Sequence, residues 1–228
     1  SADNACTNSI AYTAPADCSC NANIGTLTPS MNGNGQNNYV LCFGDIFDYQ
    51  ANGDYTAPPD VNDPLIPYNP GIGYLIYSCP PTPGMTPDGD PITGDPCILG
   101  LVLDGPSNQL FTDINDLGWI NSFPAGTFTN NIIYWVPVTM YDINGNYYSA
   151  TNTGTLCYDI GPAIPVQYLP EVKTIEVEDC QAGSITSTVT GGLSELDGSN
   201  YTVVTGSLLP TNASFQNTTA IHGGTITI

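Results

Sequence analysis

Arginine is absent from this chain of 228 residues, and lysine and histidine occur once each, as Lys173 and His222. Twenty-one Asp and Glu side chains leave a formal net charge of -20. Nucleic acid is excluded as a partner, because affinity for a polyanion comes from Lys and Arg neutralising phosphates. Clamping a phosphate or carboxylate substrate, or running acid–base chemistry near neutral pH, has almost no side chains to draw on. The carboxylates have no protein cations to pair with, so they are hydrated, hydrogen-bonded or bound to metal ions. Long apolar runs are missing too. No stretch reaches the length of about 18 residues that a membrane helix needs, so no membrane span is expected.

What is present points to β structure. Apolar residues make up 41% of the chain, enough for a core, while charged residues make up only 10%. The 24 Gly and 20 Pro disfavour long helices, because both residues break helix interiors. Eight cysteines in such a chain indicate an oxidising compartment, extracellular or cell-surface. Zinc is the competing reading, but Cys18-Ser19-Cys20 has the wrong spacing and no second pair exists. All eight, Cys6, Cys18, Cys20, Cys42, Cys79, Cys97, Cys157 and Cys180, are therefore expected in disulfides. Cys79 and Cys97 flank one loop and are placed to staple it. Cys20 with Cys42, and Cys157 with Cys180, are further candidate pairs.

Residues 1–38 show little periodicity and read as an irregular Cys-rich segment with one or two short strands, open to donation to a neighbour. A β-sandwich domain is expected over 39–161. Its strands begin at Tyr39–Phe43, Tyr74–Cys79 and Ile98–Leu103, and Ile132–Tyr141 reads as a central strand. Pro137 predicts a bulge or an edge within that strand. Asp113–Leu117 reads as a short helical turn. Three prolines in 162–171 predict a semi-rigid linker. A second, apparently incomplete domain follows over 172–228. There Ile185, Ser187 and Val189 alternate with Thr186, Thr188 and Thr190. The fold class is thus all-β: two tandem Ig-like antiparallel β-sandwich units with long Pro/Gly/Asp loops, stapled by disulfides.

Several stretches resemble known modules. Tyr74-Leu75-Ile76-Tyr77-Ser78-Cys79-Pro80-Pro81, Tyr134–Thr139 and Cys157–Pro170 resemble a module of large secreted surface proteins of Bacteroidota. Cys180-Gln181-Ala182-Gly183-Ser184-Ile185-Thr186 through Gly191-Gly192, with Gly223-Gly224-Thr225, is similar to the repeats of gliding-motility-type adhesins. The resemblance covers roughly 39–228 and implies tandem Ig-like or PKD-like sandwiches, exported and attached at the cell surface, without an enzyme. Those repeats usually run on to a further Cys, which this chain lacks.

Three acidic loops are candidates for calcium, which takes six to eight oxygens from irregular loops. They are Asp142, Asn144 and Asn146; Asp88 and Asp90 with Asp95; and Asp60, Asn62 and Asp63. Turn chemistry alone also accounts for Asn and Asp there. Ser-His-Asp hydrolysis would depend on His222, and no Gly-x-Ser-x-Gly elbow is present. Glycoside hydrolysis would need paired acids beside aromatic platforms. Yet the four glutamates, Glu171, Glu176, Glu178 and Glu195, all lie outside the aromatic-rich first domain. An isopeptide at Lys173 competes with an exposed lysine. The 14 tyrosines with Trp119 and Trp135 suit either a sugar- or protein-binding face or core pairs. Asn200, Asn212 and Asn217 sit in Asn-x-Ser/Thr sequons.

The functional expectation is a non-catalytic structural or adhesive surface protein, a homo-oligomer or polymer with a glycan or protein ligand. The final residues Gly223, Gly224, Thr225, Ile226, Thr227 and Ile228 read as an unfinished strand able to complete a neighbour's sheet. A secreted carbohydrate-binding module is the alternative, and a secreted hydrolase the third.

Overall fold

The computed structural model describes residues 22–35, 38–56, 72–81, 95–103, 109–115, 117–139, 159–204 and 213–228. Strands dominate them. A three-stranded sheet has the order β1 (Leu27–Met31), β3 (Ile46–Ala51), β6 (Gln109–Ile114). A five-stranded sheet has the order β2 (Tyr39–Leu41), β8 (Ile164–Tyr168), β7 (Ile132–Val138), β4 (Gly73–Tyr77), β5 (Ile98–Leu103). All its pairs are antiparallel except β2 with β8.

These two sheets face each other across one aromatic core. Phe47 and Tyr49 of β3 pack with Tyr39 and Leu41 of β2, Tyr74 and Ile76 of β4, Ile133 and Trp135 of β7, and Val166 and Tyr168 of β8. Ring contacts run from Tyr39 to Phe47 to Tyr49 to Tyr74 at 5.2, 6.2 and 5.6 Å. Each such pair adds roughly 0.5–1.5 kcal/mol beyond the area it buries. The phenol of Tyr74 donates to the Tyr49 carbonyl at 3.0 Å, so the buried hydroxyl is satisfied. The tyrosines described in this region are thus core and cross-strand pairs. Strand β4 is buried along its whole length. Its other face places Leu75 and Tyr77 against Val136 and Val138.

The remaining strands form smaller sheets. Strands β13 (Thr225–Thr227), β10 (Ser184–Thr190) and β9 (Lys173–Asp179) make a second three-stranded sheet. Strand β11 (Tyr201–Thr202) pairs with β12 (Thr219–Ala220). Val189, Ala220 and Ile226 form a small core, flanked by Tyr201, Val203 and Phe215. One short helix, α1 (Gly192–Asp197), follows β10 and stops at Gly198 in the left-handed conformation.

Several expectations are corrected. The stretch 162–171 is not a linker: β8 lies inside the five-stranded sheet, antiparallel to β7 and parallel to β2. Its prolines mislead because Pro162 and Pro170 flank the strand, while Pro165, opposite Tyr134, is accommodated within it. Residues 22–35 are not a loose appendage either. Strand β1 pairs with β3 over its whole length, and the Ile24 amide donates to Asp159 at 2.8 Å. Asp113 and Ile114 continue strand β6 rather than opening a helical turn, because they pair with Phe47 and Ile46.

The strand Ile132–Val138 is central, as its β-branched and aromatic content predicts. Pro137 sits where the ladder to β8 ends. Between Trp135↔Ile164 and Val138↔Ile160 the register slips by one residue. The Pro137 carbonyl accepts the Gly161 amide at 2.9 Å, so the ring nitrogen also faces this interrupted side and no ladder donor is lost.

Cys79 and Cys97 form a disulfide, as their placement about one loop predicts. Cys42 and Cys180 are exposed and in no disulfide among the described residues, and their candidate partners Cys20 and Cys157 fall outside those residues. Cys6, Cys18, Cys20 and Cys157 lie outside the described residues.

Candidate functional site

Two features of the described surface can meet a partner. The first is a cleft of about 500 Å³ between the loop 117–131 and helix α1. Leu117, Phe123 and Phe128 line one side, and Pro170, Glu195 and Leu196 the other, with Asn121 and Asn131 contributing amides. An aromatic ladder leads to it from the core: Trp135 to Trp119 at 5.6 Å, Trp119 to Phe123 at 5.2 Å, Phe123 to Phe128 at 5.3 Å. Trp135 is 2% exposed and belongs to the core, whereas Trp119 and Phe123 are half-buried.

The loop bearing this cleft is conformationally constrained. Leu117, Asn130 and Asn131 have φ of 58°, 53° and 54°. Asn tolerates that region through its short polar side chain, but Leu does not do so without strain. Strain of this kind persists only where surrounding packing dictates it, and it clusters at binding sites.

Glu195 was separated from the aromatic residues in sequence, and the fold brings it to them. The connection is Gly191-Gly192. Gly191 adopts φ 88° and ψ −163°, open only to glycine, and a side chain there would collide with the Glu171 carbonyl. The Gly192 amide donates to Pro170 at 2.8 Å. This close approach seats α1 beside the end of the larger sandwich.

His222 packs behind the same helix. Its Nδ1 accepts the Gly191 amide at 3.3 Å and lies 3.6 Å from Glu195 Oε2. Ser194 Oγ accepts the His222 backbone amide at 2.8 Å and is 4% exposed. The hydroxyl therefore serves the backbone, not the ring.

The second feature is the open edge of the small sheet. All seven residues of β9 are exposed. Ile175 and Val177 are 64% and 62% exposed, unusual for β-branched aliphatic side chains. Lys173 lies on the same strand, its Nζ 3.1 Å from Glu171 Oε2 and in water, which disfavours a buried isopeptide. The opposite edge of this sheet is closed. Gln216 donates to the Thr227 carbonyl at 2.8 Å, and Asn217 Oδ1 accepts the Thr227 amide at 2.9 Å.

The terminal residues 223–228 are therefore not a vacant donor strand. Thr225–Thr227 pair antiparallel with Thr186–Thr188 of the same chain, and Ile226 is buried. What looked unfinished in sequence is completed by β10, forty residues earlier, and is clamped by Asn217. The Asn217 side-chain nitrogen also donates to Thr225 and Thr219 carbonyls at 2.7 and 3.1 Å, so this sequon amide is engaged in the fold.

Of the calcium candidates only Asp95 is described. It is buried, and its Oδ1 accepts the Cys97 amide at 2.9 Å, a turn role beside the disulfide. Asp88, Asp90, Asp142, Asn144 and Asn146, with Asp60, Asn62 and Asp63, lie outside the described residues. Among the described residues no three His, Cys, Asp or Glu side chains form a metal-binding group. Asp54 shows how the carboxylates manage without cations. It accepts the Thr26 amide and hydroxyl at 2.8 and 2.9 Å, which hold its pKa below the ordinary Asp value. Among the described residues no helix is long and apolar enough to cross a membrane.

No protein-family model, no curated protein and no solved structure matches this chain.

Proposed function

We propose that this chain is a non-catalytic structural and adhesive protein of a bacterial cell surface, built into a larger assembly through the edges of its sheets. The observation that carries this reading is β9, a seven-residue edge strand exposed from end to end. Edge strands present unpaired amides and carbonyls to any extended chain that reaches them. The Cys79–Cys97 disulfide supports an exported location, since such bonds persist in oxidising compartments. The single Lys and the absence of Arg argue against polyanion partners. Calcium belongs to the same proposal, as a ligand of the acidic loops.

Electron microscopy of the natively purified protein, with and without a calcium chelator, tests this reading. Ordered filaments are expected, and their loss on chelation would place calcium at the joints. Dispersed monomers under both conditions would overturn it.

The aromatic cleft favours a second reading, a saccharide-binding module. Phe123 and Phe128 beside Asn121, Asn131 and Glu195 combine an aromatic face with polar groups, the usual make-up of a ligand pocket, and Trp119 packs against Phe123 next to it. Glycan titration should then quench Trp119 saturably, and Phe123→Ala should abolish binding. Quenching unchanged in Phe123→Ala would dismiss the cleft.

A further inference from the structure

We propose that two copies of this chain join through β9, antiparallel about a twofold axis at Glu176, merging two three-stranded sheets into one of six strands. The inference rests on the edge-assembly reading above and names its partner.

Backbone directions come first. Ile185 exchanges both hydrogen bonds with Ile228, at 3.1 and 2.9 Å. Val189 donates to Gly224 at 3.1 Å and accepts from Gly223 at 2.8 Å. Backbone groups alternate in direction along a strand, so Ile185, Ser187 and Val189 face β13, while Ser184, Thr186, Thr188 and Thr190 face β9. The β9 partners of that second set are Asp179, Val177, Ile175 and Lys173. The amides and carbonyls of Thr174, Glu176 and Glu178 therefore point away from the sheet, along its open edge.

The side chains then select a register. Centred on Glu176, an antiparallel copy sets Lys173 against the partner's Asp179, Ile175 against the partner's Val177, and Thr174 against the partner's Glu178. The outward-facing residues make the hydrogen-bonded pairs. Lys173 with Asp179, and Ile175 with Val177, fall at the closer non-hydrogen-bonded positions, where side chains interact most. The only lysine of the chain thus meets an opposite charge at each end of the joint. Four exposed aliphatic side chains cover one another between them. Asp179 Oδ1 is held by the Gln181 and Ala182 amides at 2.9 and 3.0 Å, which leaves Oδ2 for the lysine.

Neighbouring registers lose these gains. A shift of two residues one way sets Ile175 against Asp179, and the other way sets Asp179 against Glu171. Charge on an edge strand is ordinary protection against aggregation. That protection does not explain two aliphatic side chains placed symmetrically between charges of opposite sign. One feature opposes pairing: the two Glu176 carboxylates meet on the axis.

Sedimentation equilibrium of the full chain, from micromolar to millimolar concentration, tests the proposal. A concentration-dependent dimer is expected, tighter in Glu176→Gln. Lys173→Glu should weaken it roughly tenfold or more, as expected for two opposite-charge pairs turned repulsive, and Lys173→Arg should retain it. Glu176→Pro removes an outward amide without touching a β9–β10 hydrogen bond, so it should give a folded monomer, checked by circular dichroism. A wild-type monomer at millimolar concentration, or a dimer surviving Glu176→Pro, would overturn the proposal. Filaments that persist in Glu176→Pro would also overturn it, while leaving the edge-assembly reading intact. A Pro-sensitive dimer without filaments would do the reverse.

Discussion

Trp135 and Tyr168 meet in the middle of the sandwich, where the indole Nε1–H donates to the tyrosine hydroxyl at 3.1 Å. Both side chains are nearly inaccessible, at 2% and 3% exposure. Tyr168→Phe keeps the packing and strands a buried donor, which costs about 1–3 kcal/mol. Urea denaturation should show that loss as a lower midpoint with an unchanged slope.

Asn115 ties three strands together. Fully buried at the end of β6, it donates to the carbonyls of Leu41 and Leu169 at 2.7 and 3.0 Å. Asn115→Ala takes this donor from both carbonyls, of which Leu41 keeps the Leu169 amide at 2.9 Å, and should lower stability by about 1–3 kcal/mol. Asn115→Asp should be worse, because it turns a carboxylate toward two carbonyl oxygens. Thermal melts of the two variants would order them.

The Cys79–Cys97 bond spans 18 positions of sequence. Replacing both cysteines by serine should destabilise the chain by about 3 kcal/mol in the loop-entropy account. Comparing chemical denaturation of oxidised and reduced wild type with the double mutant would check it.

Tyr49 gives the fold an alkaline limit. Burial, reinforced by the neighbouring Tyr39, raises its pKa to about 12. The unfolded chain ionises near pH 10, so it releases its proton first. The resulting stability is full below about pH 10 and declines as pH rises toward 12. Tyr49→Phe removes this linkage, and its base-induced unfolding, followed by near-ultraviolet dichroism, should shift to higher pH.

Strand β8 sets the minimum folding unit. Tyr39 pairs with Val166, 127 residues away. A chain ending at residue 161 lacks the strand that joins β2 to β7, and should be unfolded by amide exchange and dichroism. Independent folding of residues 1–161 would show that β8 is dispensable.

Much of the architecture was legible because apolar alternation and β-branched runs mark buried strands directly. Ile132–Val138, Gly73–Tyr77 and Ile98–Leu103 fall where those patterns place them. Strand β8 was hidden because its prolines carry the composition of a linker, and only long-range pairing reveals that their missing amides do no harm. The closing of β13 onto β10 was hidden because three residues, Thr225–Thr227, bear no pattern strong enough to name a partner. The cleft was not legible at all. Glu195 reaches the aromatic loop only because Gly191-Gly192 folds against Pro170 and Glu171, and spacing in sequence does not encode that approach.

Having Lys173 as the sole basic residue with a cleavable bond also changes how the molecule meets proteases. An enzyme that cuts after Lys or Arg finds one bond in all 228 residues, Lys173–Thr174. That bond opens β9, whose ladder with β10 runs unbroken from Thr190 to Ser184. Cleavage requires a strand to leave its sheet, so trypsin becomes a reporter for one local event. It reads the peeling of β9, and anything that settles on that edge should slow the cut.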